Sequence, residues 1–99
     1  MEPTPGREPQ MATLRQDIIA AATRFASNGS SGAEIGTTWV AGWLQSRAAE
    51  CIGADHGMTP EEFHAAIDRM DFLRLTSAIA AATRREHRRR DWLRALNPR

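Results

Sequence analysis

Four side chains in the middle of the sequence are of the types from which a metal or thiol site is built: Cys51, Asp55, His56 and His64. Their spacing, Cys-x4-His-x7-His, matches neither the closely paired ligands of structural zinc sites nor the His-Glu-x-x-His of zinc proteases. A nucleophilic cysteine needs a polar or positive setting that favours the thiolate. Cys51 instead falls on an apolar stripe with Trp39, Val40, Trp43, Leu44, Ala48 and Ile52, where it is expected to be a small buried hydrophobe. His64 and Asp68 are one helical turn apart, a spacing that suits an oriented general base but is met far more often as a solvent-facing ion pair. The glycine-rich stretch 28–36 lacks the Gly-Lys-Ser/Thr ending of a phosphate loop. These patterns point away from an enzyme, and no metal, cofactor or small-molecule substrate is expected.

The arginines carry a stronger signal. All 13 basic residues are arginine, and residues 84–99 hold seven of them against Glu86 and Asp91, a net of +5. Residues 1–83 hold six arginines against ten acids, a net of −4, so a near-neutral total hides an acidic body and a basic end. Such asymmetry implies an anionic partner: nucleic acid, an acidic protein surface, or the acidic face of the chain itself. On a helix Arg84, Arg85 and Arg88 project from one side and Arg89 and Arg90 flank the other, with Arg94 a turn later. Forked guanidinium donors in that arrangement suit phosphates or carboxylates, and Trp92 is placed to stack on an unpaired base or to cover an apolar edge. A bland alternative is a solvated face tied by Glu86–Arg89 and Glu86–Arg90 pairs.

Those side chains must be positioned by a small scaffold. The chain has 99 residues, which bounds it to one domain. Of its apolar residues 17 are alanine, and Leu, Ile, Val and Phe together number only 16, so the core is thin and another chain is expected to complete it. No apolar run is long enough for a membrane span, no secretory leader is evident and the single cysteine forms no internal disulfide, which makes a cytoplasmic location the expectation. The arginine-for-lysine and alanine-rich usage suits a bacterial or phage genome of high G and C content.

The elements follow from periodicity. Residues 1–10 carry three prolines and a glycine and are expected to be a disordered tail, with 11–99 forming the helical domain. Met11, Leu14, Ile18, Ala21 and Phe25 mark a first helix over 13–27, opened by Thr13 with Gln16 and closed by Asn28-Gly29. The stripe from Trp39 to Ile52 predicts a second helix. Thr59-Pro60-Glu61-Glu62 is a helix start in which Thr caps, Pro opens and Glu closes the box. A final basic helix is predicted over about 76–96, and residues 60–96 are either one helix or two broken near 71–76. Its stripe, Leu75, Ile79, Ala82, Glu86, Arg89, Leu93 and Leu96, has the 4-3 alternation of a coiled-coil seam. A helix-turn-helix around Ala49 and Gly53 is disfavoured, because Pro60 and the nearby acids would give a reading helix that repels DNA.

The sequence therefore predicts an all-α bundle of three to four helices with a disordered N-terminal tail and a basic C-terminal helix. Its expected role is non-enzymatic binding and regulation, of the kind served by small phage or mobile-element inhibitors and adaptors. The expected apolar contact residues are Trp39, Trp43, Leu75, Ile79, Leu93 and Leu96, facing a protein partner or a second copy. The alternative is a nucleic-acid-binding regulator acting through Arg84, Arg85, Arg88, Arg89, Arg90 and Arg94. A small enzyme or metal site at Cys51, His56 and His64 is the least favoured reading.

Overall fold

A computed structural model describes residues 7–29 and 35–96. Within them the chain is all-helical: α1 (Arg7–Gly29), α2 (Thr37–Leu44), α3 (Arg47–Asp55), α4 (Pro60–Asp68) and α5 (Phe72–Leu96), with no strand. Five helices replace the three or four expected, and each extra boundary has a local cause.

α1 starts at Arg7, so the last four residues of the expected tail are helical, while residues 1–6 lie outside the described residues. Pro9 is the third residue of the helix, where its missing N–H has no intrahelical acceptor to lose. Thr13 is consequently inside the helix and is not its cap. The expected second helix is cut in two at Gln45-Ser46. The Ser46 hydroxyl donates to the Trp43 carbonyl at the end of α2 and accepts from the Ala49 amide at the start of α3, so one side chain closes one helix and opens the next. The cut also re-aims α3. It buries Ala49 and Gly53 and half-buries Ile52, leaving Cys51 exposed instead of buried.

α3 ends in a Schellman motif: Met58 N–H donates to the Gly53 carbonyl (2.8 Å) and Gly57 N–H to the Ala54 carbonyl (2.9 Å), with Gly57 at φ +74°. The predicted box at Thr59 is present in full, with Glu62 N–H donating to Thr59 Oγ1 (3.2 Å) and Thr59 N–H to Glu62 Oε1 (3.0 Å). The break in 60–96 falls at Arg69–Asp71, and α5 begins at Phe72, four residues before the predicted start. Asp71 fixes that start, because its Oδ1 accepts from Arg74 N–H (3.2 Å) and its carbonyl from Leu75 N–H (2.9 Å).

The two long helices, α1 and α5, make the most extensive contact in the fold. Gln16, Ile19 and Thr23 line one groove with Ala82, Arg85 and Arg89, and a turn later Ser27 meets Arg90, so the helices run in the same direction. The short helices pack across one side of this pair, α3 on α1 and α4, α2 on α3 and α5. The core is built from Leu14, Ile18, Val40, Phe63, Leu75 and Ile79, all fully buried, with Ala22, Ala26 and Ala49 between them. Apolar burial at roughly 25 cal/mol per Å² is the main stabilising term, and small residues along α1 let the helices approach closely.

Three polar residues, Ser27, Thr76 and Thr83, share this interior among the described residues. Thr83 Oγ1 donates to the Ile79 carbonyl (2.8 Å) and is satisfied. Thr76 is also buried, but its Oγ1 has no hydrogen-bond partner among the described residues. Thr76→Val keeps the shape and removes the unmet group, so the melting temperature should rise, by an amount matching about 1 kcal/mol. A fall in melting temperature would show that the hydroxyl is bonded in solution.

Candidate interaction surface

Past Thr83 no residue of α5 is buried: Glu86 and His87 are intermediate and Arg88–Leu96 are all exposed. A hydrogen bond from Arg90 ties this half to α1. Arg90 donates from its guanidinium to the Ser27 carbonyl (2.9 Å), meeting a last-turn acceptor of α1 with a positive charge where the helix dipole favours one. Arg90 and Arg89 also approach Glu86, at 3.7 and 3.5 Å, so the expected i,i+4 and i,i+3 pairs are both present. Arg90 is thereby a structural tie.

Arg84, Arg85, Arg88 and Arg94 are exposed, and no carboxylate among the described residues lies within ion-pair reach of them. The same end carries Trp92, Leu93 and Leu96 at 62%, 45% and 61% exposure. Only Phe25 and Leu73 join them as exposed large hydrophobics among the described residues, so three of five are gathered in one turn and a half of helix. By helical geometry the three project within an arc of about 100°, with Arg88 and Arg85 beside them. The end of α5 is therefore an apolar patch edged by unpaired arginines.

The other expected contact residues lie elsewhere. Leu75 and Ile79 are wholly inside the core, packed by the chain's own helices, and are closed to any partner of this fold. Their half of the predicted seam is used internally, while Leu93 and Leu96 continue it beyond the core. Trp39 and Trp43 stack on each other, with centroids 6.4 Å apart and planes 5° from parallel. Trp43 is only 6% exposed and serves the core; Trp39 is half-buried. With Phe25, Thr38, Gly42 and Ser46 they border a shallow depression of about 390 Å³. Phe25 had been expected on the buried stripe of α1, but the buried line follows Leu14, Ile18, Ala22 and Ala26, which turns Phe25 outward.

The residues with metal and thiol chemistry do not converge. His56 Nε2 pairs with Asp17 Oδ2 of α1 at 2.7 Å, and His64 Nε2 with Glu50 Oε2 of α3 at 3.2 Å. His64 thus reaches across to α3 and not along α4 to Asp68. Among the described residues no three His, Cys, Asp or Glu side chains come together to hold an ion. The histidines act as ties, one from the end of α3 to α1 and one from α4 to α3.

Among the described residues no helix is long and apolar enough to cross a membrane. Comparison with protein-family models, with curated proteins and with solved structures gives no significant match.

Proposed function

We propose that the chain is a non-enzymatic binding protein that engages another protein through the C-terminal end of α5. The carrying observation is that Trp92, Leu93 and Leu96 stand exposed beside Arg85 and Arg88, on a helix end where Arg84 and Arg94 are exposed too, and none of these four arginines has a carboxylate partner among the described residues. Apolar anchors with tryptophan and arginine are what protein interfaces concentrate at their energetic centre. The guanidiniums ask for an acidic surface, and the leucines ask for an apolar one. An acidic protein surface with an apolar groove meets both requirements.

A second reading assigns the same end to single-stranded nucleic acid. It is favoured by Trp92, an exposed indole next to unpaired arginines, which is the pairing used for base stacking along a phosphate backbone. It leaves Leu93 and Leu96 unexplained.

A photo-crosslinking amino acid in place of Trp92, irradiated in cells that express the full chain, separates the two. The protein reading expects an adduct that protease removes and nuclease does not, and that disappears in Leu93→Glu/Leu96→Glu while the helical circular dichroism is unchanged. A nuclease-sensitive adduct, with affinity for an oligonucleotide falling steeply with salt, would replace it with the nucleic-acid reading.

A further inference from the structure

We propose that the partner seated on the end of α5 is a second copy of this chain, in a two-fold antiparallel dimer. The inference rests on the protein-binding reading and names its partner. Residues 84–96 carry six arginines against Glu86 and Asp91, a net of +4. Residues 35–71 carry six carboxylates, Glu50, Asp55, Glu61, Glu62, Asp68 and Asp71, against Arg47 and Arg69, a net of −4. Of these, Asp55, Glu61 and Asp68 are exposed with no cationic partner among the described residues. The two net charges are equal and opposite: the basic one sits on the C-terminal half of α5, and the unpaired acids sit on α3 and α4, with Asp68 beside the start of α5.

The acidic end also has an apolar receptor. A depression of about 260 Å³ opens where α2 and α4 meet the start of α5, lined by Leu44, Ile67, Met70 and Phe72, with Asp68 at its edge. It offers apolar contact for Leu93 and Leu96 and a carboxylate for the arginines around them. From Phe72 to Leu93 is 21 residues of a single helix, about 32 Å at 1.5 Å per residue, so within one chain the patch cannot reach the depression. Two chains laid antiparallel bring each basic end to the other's acidic end, and both contacts close at once. A pair joined head to tail would close only one of the two contacts and leave a free basic end and a free acidic end, which recruit further chains into an open, growing array.

Sedimentation equilibrium of the full chain, from about 1 to 200 μM at about 50 and 500 mM salt, tests this. The expected result is a mass approaching twice the 11.0 kDa of the chain, with the dissociation constant rising about tenfold or more at high salt. Leu93→Glu/Leu96→Glu should remain at the monomer mass with unchanged circular dichroism. Arg85→Glu/Arg88→Glu and Glu61→Arg/Asp68→Arg should each be monomeric alone, and mixing them should restore a dimer, because one contact of the mixed pair keeps the native +4 against −4 and at the other the new glutamates face the new arginines. A mass that grows without limit, or a mixture that fails to associate, would overturn the antiparallel dimer. A chain that stays monomeric while the Trp92 adduct still forms would overturn the second copy and leave the protein-binding reading. Loss of both would remove both.

Discussion

Replacing Phe63 by alanine is expected to lower stability by about 3–5 kcal/mol, a large share of the roughly 5–15 kcal/mol that holds a domain folded. Phe63 is the largest fully buried side chain among the described residues, and it lies directly against the backbone of Gly53, so it seats α4 on α3. The His64–Glu50 pair also links these helices, but it is partly exposed and contributes little by itself. The Thr59 box would survive the substitution, since its two bonds are local to residues 59–62. The expected signature in urea denaturation is a large fall in midpoint with helical signal retained in the folded baseline. A loss under about 1 kcal/mol would mean that the core can collapse into the vacated space and that α4 is held mainly by its connections.

Where a boundary is decided by neighbouring residues, the sequence reveals it. The capping box at Thr59 and the proline after it are local chemistry, and the structure repeats them bond for bond. The cut between α2 and α3 was hidden, because the apolar stripe from Trp39 to Ile52 runs through it and serine is tolerated inside helices. Only the two bonds of the Ser46 hydroxyl decide the matter. The arginine end and the apolar Leu93 and Leu96 were legible from charge and spacing. Their division from Leu75 and Ile79 was not, since the stripe has one period throughout and its coverage depends on α1, more than fifty residues earlier in the chain. The Arg90 to Ser27 tie spans 63 positions and has no local signature at all. Phe25 was misplaced for a related reason: α1 touches α5 on one side and α3 on another, so its buried line winds around the helix and does not follow one straight stripe.

Gly53→Ala, which raises intrinsic helix propensity by about 1 kcal/mol, should nonetheless destabilise the protein by about 1–3 kcal/mol or more. A Cβ at this position would stand 2.8 Å from Cβ, Cγ and Cδ1 of Phe63, closer than carbon atoms can approach. Relief requires something to move, and neither side is free. Phe63 Cβ is fixed to the backbone of α4, and the Gly53 carbonyl accepts from both Met58 N–H and His56 N–H at the end of α3. The missing side chain is therefore the means by which Phe63 enters the core, and the entropy that glycine costs a helix is offset by the contact it permits. A double-mutant cycle isolates this. Phe63→Ala removes Cγ and Cδ1 but keeps Cβ, so Gly53→Ala/Phe63→Ala should be less destabilised than the two single changes added together, by about 1 kcal/mol or more. Strict additivity in urea denaturation would mean that the helices separate without strain, and the close approach of α3 and α4 would then not be what holds the short helices together.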